Sequence, residues 1–122
     1  MITFFIPDLP LMTNQLLRRH WSFIMKEKQK WHRLIDVAVI HQKILMGLDK
    51  PLEKARITFI RRSTREPDYD GLISGFKFVT DGLVESGVIV DDKVSVIGKS
   101  EYLWEKAINN KSQGILVCVE GV

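Results

Sequence analysis

Residues 68 to 92 begin and end on a pair of aspartates, Asp68 with Asp70 and the adjacent Asp91 with Asp92. Each has an ordinary use. An aspartate opening a helix accepts a bond from a free backbone amide and stabilises it by ~1 kcal/mol, which suits Asp70. Asp68 after a proline, and Asp91–Asp92 between VIV and KV, suit turns. As a set they have a second use. Carboxylates at i and i+2 on extended backbone point the same way, and like charges that close raise each other's pKa unless a cation neutralises them. Capping calls for only one of the two. Should the chain turn back after the intervening helix, near Gly87, Asp91 or Asp92 would approach Asp68 and Asp70 from across. Three carboxylates without clustered thiols or imidazoles make a hard-oxygen set suited to Mg²⁺ or Mn²⁺.

Lys77 stands between the pairs. Two uses compete for it: a surface ion pair with Asp81 at i+4, or a cation that offsets charge developing on a phosphate. A carboxylate-held metal beside basic segments is the equipment of phosphodiester hydrolysis. Arg18, Arg19, Arg61, Arg62 and Arg65 are the candidates to hold backbone phosphates, in a salt-sensitive manner; the plain alternative is solvated charge. Trp21, Tyr69 and His20 are candidates to stack on bases, whereas Trp31 reads as core. His20, His32 and His41 share no ligand-like spacing. The charge is unevenly spread. Residues 1–66 hold 13 Lys/Arg against 6 Asp/Glu, and residues 67–122 hold 5 against 9. A basic half beside an acidic half fits a polyanion partner next to a cation site.

The elements that must position these groups are legible from periodicity. ITFFI (2–6) and ARITFIRR (55–62) read as strands, and 7–21 as an extended loop. From a cap at Ser22 to Gly47, apolar residues recur at helical spacing. Leu72, Phe76, Val79 and Leu83 mark a second helix that ends near Ser86–Gly87. VIV (88–90), VSVIG (94–98), SEYLWEKA (100–107) and ILVCVE (115–120) read as strands, the last two joined by a hairpin-type loop. The expectation is an α+β fold over residues 1–122, a single compact domain of two helices on a mixed sheet. The length of 122 residues suits one core. No apolar run reaches the ~20 residues of a membrane span, and MITFFIPDLP lacks the form of a secretory signal. Cys118, the only cysteine, excludes an intramolecular disulfide; it reads as core and fits a reducing, cytoplasmic setting.

The stretch PDYDGLISGFKFVTDGLVESGVIVDDKV resembles the RusA family of Holliday-junction resolvases. That family's signature runs Asp-x-Asp-Asn-Leu, Lys, Asp-x-Leu, then Gly-x, two or three apolar residues and Asp-Asp. PLMTNQLLRRHW, with the helix through HRLIDVAVI, resembles the family's Pro/Asn-containing loop and following helix. The resemblance implies that Asp68, Asp70 and Asp92 hold the metal, with Asp91 a further candidate, and that Lys77 is the catalytic lysine. It implies Mg²⁺, with Mn²⁺ as a substitute, and a homodimer making paired cuts across four-way junction DNA. Two departures stand out: Gly71 replaces the usual Asn, and Lys77 lies a few residues farther from Asp70 than in some members. Junction binding without catalysis, or cutting of forks and flaps, are the alternative functions.

Overall fold

In ARITFIRRS every second side chain faces one way, and burial follows: Ala55, Ile57, Phe59, Arg61 and Ser63 are buried, and those between are less so. The computed structural model describes all of residues 1–122. Its four strands are β1 (Ile2–Ile6), β2 (Ala55–Ser63), β3 (Glu101–Lys106) and β4 (Gly114–Gly121), arranged β1-β4-β2-β3. β4 runs antiparallel to β1 and β2, while β2 and β3 are parallel, so the sheet is mixed. The helices are α1 (Thr13–Leu16), α2 (Trp21–Leu45), α3 (Tyr69–Ser74), α4 (Lys77–Glu85) and α5 (Val94–Ile97). The expected α+β architecture is present, with α2 and the α3–α4 pair as the main helical layer.

Register aligns the inner side chains into rungs. Phe4, Val117, Phe59 and Tyr102 form one, and Ile6, Ile115, Arg61 and Trp104 the next. Trp31, Ile35 and Val39 from α2 and Leu72, Phe76, Val79 and Leu83 from α3–α4 complete a core of 19 buried residues. α2 is capped by His20 rather than Ser22: the His20 Nδ1 accepts from the Ser22 amide at 3.1 Å. It ends at Gly47 as expected, where the Leu48 amide donates to the Lys43 carbonyl at 2.9 Å.

Five local readings are corrected. The single helix expected after Asp70 is two, broken at Gly75–Phe76. The break turns Phe76 inward, 5.0 Å from the Phe59 ring and almost fully buried. VIV is no sheet strand; Ile89 makes one isolated parallel bridge to Leu52. VSVIG is the helical turn α5. Its β-branched residues favour a strand locally, but β2, the strand it contacts, already pairs on both edges with β3 and β4. β3 and β4 form no hairpin, because β2 lies between them. Cys118 is half-buried on the opposite face from Val117 and Val119 rather than in the core.

Phe59 is fully buried at the centre of its rung. Phe59→Ala is expected to cost about 3–5 kcal/mol of unfolding free energy, read from the midpoint of a urea titration with the slope unchanged.

Candidate active site

Pro67 keeps the chain extended up to α3, and Asp68 takes the cap position with φ −70° and ψ 161°. Its side chain makes no capping bond. Asp70, expected to cap, lies instead within the first turn, where a negative charge favours the helix dipole. The pair is therefore not on one extended stretch. Both nevertheless line one open groove of about 320 Å³ with Asn14 and Ser74. Neither carboxylate has an ion-pair partner. α1 forms the facing wall, its Thr13 amide donating to Ser74 Oγ at 3.3 Å.

Gly71 has a steric reason. A Cβ there would lie 2.5 Å from Asp68 Oδ1 and 2.8 Å from Met12 Sδ. The absence of a side chain at Gly71 thus lets the Asp68 carboxylate fold against the start of α3.

The second pair is positioned by the end of α4. Gly87 adopts φ +77°, a left-handed conformation that favours glycine. Its amide donates to the Val84 carbonyl at 3.1 Å, and the Val88 amide to Leu83 at 2.9 Å, satisfying the last carbonyls of the helix. Val88 and Ile89 are then buried, and Leu52 clamps them: its amide donates to the Val88 carbonyl at 2.9 Å and its carbonyl accepts from Val90 at 3.0 Å. This buried strut presents the Asp91–Asp92 turn.

Asp91 is engaged there. It accepts from the Asp92 amide at 2.7 Å and lies 3.6 Å from Lys93 Nζ. The Asp92 amide, then the Asp92 side chain, hold its carboxyl below the usual carboxylate range, with Lys93 adding to the effect. Asp92 is exposed and has no ion-pair partner. Lys77 opens α4 and forms no ion pair with Asp81. It lines an open groove of about 320 Å³ together with Asp91, Asp92, Asp81 and His32.

Tyr102 links the two ends. Its ring stacks on Phe59 at 4.8 Å with planes 8° apart. Burial pushes its phenol above the usual tyrosine range, and the Asp92 carboxylate and then Tyr69 raise it further. The charge of Asp92 and that of Tyr69, the first residue of α3, are thus both felt at this one hydroxyl. The four acids still do not form a ready cluster: no three His, Cys, Asp or Glu side chains stand together as a group able to hold a metal ion.

The arginines divide. Arg61 is buried, its Nη1 donating to the Pro10 carbonyl at 3.0 Å. Arg65 is exposed, and both border a cleft that also touches Asp68. Arg62 points to the opposite face, where Nε and Nη2 donate to Glu105 Oε2 at 3.1 and 3.0 Å. Arg18 is exposed with φ +67°, in the turn between α1 and α2; Arg19 lies 4.5 Å over the Phe23 ring. Neither lines the acid grooves. Trp21 and Tyr69 are exposed, while Trp31 is fully buried.

Sequence reasoning missed Tyr102 and Asn14 as members of the site. Asn14 lines both the acid groove and the arginine cleft, and its place in the PLMTNQ loop was the available signal. Tyr102 gave none, being one aromatic in a strand. Neither the protein-family models nor the curated proteins compared with this chain give a match.

The charge on Asp92 should be readable at Tyr102. In Tyr69→Phe, which leaves Tyr102 as the one tyrosine, Asp92→Asn is expected to lower the midpoint of tyrosinate formation. Because the folded-state pKa is raised, Tyr102 favours folding below its unfolded pKa, and that contribution is lost as pH rises through the folded value. An unchanged midpoint would place Asp92 away from the phenol.

Proposed function

We propose that this protein is a divalent-metal-dependent endonuclease that cuts branched DNA, with four-way junctions as substrate and a homodimer as its working form. One observation carries the reading. Asp68, Asp70 and Asp92 occupy cap, helix-start and turn positions, yet none is held by a cation of the chain. Asp68 in addition makes no capping bond.

The donor set fits Mg²⁺. That ion is commonly held by one or two carboxylates with water and substrate phosphate completing its shell, so Asp68 and Asp70 in one groove suffice as protein ligands. Asp92, exposed in the groove that holds Lys77, is the third ligand that the RusA resemblance implies. When bound, Mg²⁺ supplies Lewis-acid stabilisation of the phosphate. Lys77, free of Asp81, offsets negative charge developing on the phosphoryl oxygens. Tyr102, its phenol pushed above the usual tyrosine range, keeps its proton at Oη at neutral pH.

The RusA resemblance supports the junction as substrate and Asp92 as the essential member of its pair. A C₂ dimer with one site per subunit suits a twofold junction that needs two cuts. Cytoplasmic DNA recombination and repair is the setting this implies. No helix is long and apolar enough to cross a membrane. Junction binding without catalysis is the second reading.

A labelled four-way junction incubated in Mg²⁺, Mn²⁺ or EDTA tests these readings. Paired nicks are expected in either metal and none in EDTA. Asp70→Asn should lose at least about 100-fold in cleavage while retaining junction binding, since it removes a ligand and a charge that repels phosphate. Lys77→Ala should lose roughly 10²–10³-fold, as for a transition-state donor. Binding with no cutting in either metal selects the second reading, and equal cutting of forks and flaps broadens the substrate. Gly71→Ala is expected to stay within about 1 kcal/mol of wild-type stability, because helix propensity improves. It should still weaken Mn²⁺ binding measured calorimetrically by displacing the Asp68 carboxylate.

A further inference from the structure

Along the inner face of β2 the row Ala55, Ile57, Phe59 is apolar, and the next member is Arg61. Only 7% of Arg61 is exposed, on a rung with Ile6, Ile115 and Trp104. A guanidinium withdrawn from water needs a counter-charge or a full set of acceptors. Arg61 has neither. No carboxylate lies within ion-pair distance. Its Nη1 donates to Pro10, and its Nε is buried without an acceptor. Burial pushes its pKa down, as expected for a charge the fold does not compensate.

This uncompensated cation borders an open cleft of about 560 Å³ that also takes in Arg65, Gln15, Gln113 and Asp68. The glutamines present donors to it. Gln113 Oε1 accepts from the Thr64 amide at 3.0 Å and from Thr64 Oγ1 at 3.3 Å. Gln15 Oε1 accepts from the Met12 amide at 2.8 Å. With both carbonyls engaged by backbone amides, each side-chain Nε2 is left as a donor. Charged and amide donors around a buried positive charge are the surroundings of an oxyanion. Asp68 and Glu66 also border the cleft and repel a dianion more than a singly charged phosphodiester.

We infer that this cleft seats one phosphodiester group of the substrate backbone, with Arg61 as its buried counter-charge and Arg65, Gln15 and Gln113 as further donors. Asp68 lines both this cleft and the acid groove, so the seat adjoins the metal-binding acids. The identity of the substrate rests on the nuclease reading; the chemistry of the seat does not. Arg61 also ties the Pro10 loop to the sheet, and a purely structural arginine would do only that.

The test is an ¹⁵N-resolved NMR titration of the full chain with the dinucleotide TpT, which has one phosphodiester, against thymidine, which has none. TpT should shift the Arg61 Nε–H signal and the Thr64 and Arg65 amides saturably, and thymidine should not. Arg61→Gln should bind TpT roughly 10- to 100-fold more weakly, as for loss of charge-assisted hydrogen bonds. Should that variant fail to fold, Arg65→Gln, at an exposed position, should still weaken binding several-fold. No saturable shift with TpT, equal shifts with thymidine, or undiminished affinity in the folded variants would each overturn the seat. A chain that binds TpT through Arg61 but cuts no branched DNA would overturn the nuclease reading alone. A chain that cuts junctions without any TpT shift would overturn the seat alone.

Discussion

Phe59 stacks on Tyr102 at 4.8 Å and leans against Phe76 at 5.0 Å, and these three rings tie the sheet to the two sides of the acid site. Phe59 belongs to the central strand β2, Phe76 to the break between α3 and α4, and Tyr102 to the edge strand β3. Burying them together fixes where α3 begins relative to the sheet, and hence where Asp68 and Asp70 stand. It also sets the Tyr102 hydroxyl where the charge of Asp92 raises its pKa, although that aspartate arrives on a separate segment. Aromatic pairs contribute roughly 0.5–1.5 kcal/mol beyond the area they bury. Their larger effect here is positional, because rigid rings in a close-packed core leave little freedom to the elements that carry them.

The next rung shows where the core stops. Phe59 is followed on the same face of β2 by Arg61 and Ser63, both buried and both polar. Ser63 is satisfied locally: its Oγ accepts from Trp104 Nε1 at 3.0 Å and donates to the Arg65 carbonyl at 2.8 Å. Arg61 is not. One strand thus passes within two residues from an apolar core to a polar cleft beside the acids. Arg62, turned to the other face, is matched by Glu105 and lies 5.6 Å from the Phe5 ring. Neighbouring arginines in the sequence have opposite electrostatic circumstances because strand side chains alternate.

The two acid pairs are held by different means. Asp68 depends on the missing side chain of Gly71, and the Asp91–Asp92 turn depends on the left-handed Gly87 and the buried Val88–Ile89 strut. In neither place does the carboxylate of Asp68, Asp70 or Asp92 hold its own element together. Such groups are available for chemistry at little structural cost, which is the sense in which local stability and the proposed function are compatible.

The sequence alone determined the elements whose signal is local. β1, β2, β4 and the long helix α2 followed from period-2 or helical recurrence of apolar residues, and the end of α2 from Gly47. The acids, Lys77 and the basic stretch could be singled out by type and spacing, and so could the helical character of the chain between the acidic pairs. Tertiary structure decided the rest. Val94–Ile97 reads as strand by propensity, yet it forms a helical turn because β2 has no free edge to offer. β3 and β4 read as a hairpin, yet β2 inserts between them, since strand pairing is set by long-range burial rather than by the loop. The α3–α4 break exists to bury Phe76, and the engagement of Tyr102 and the isolation of Arg61 arise only when separate strands align in register. Local periodicity states which face a residue occupies; what it meets on that face depends on chain segments far away in sequence.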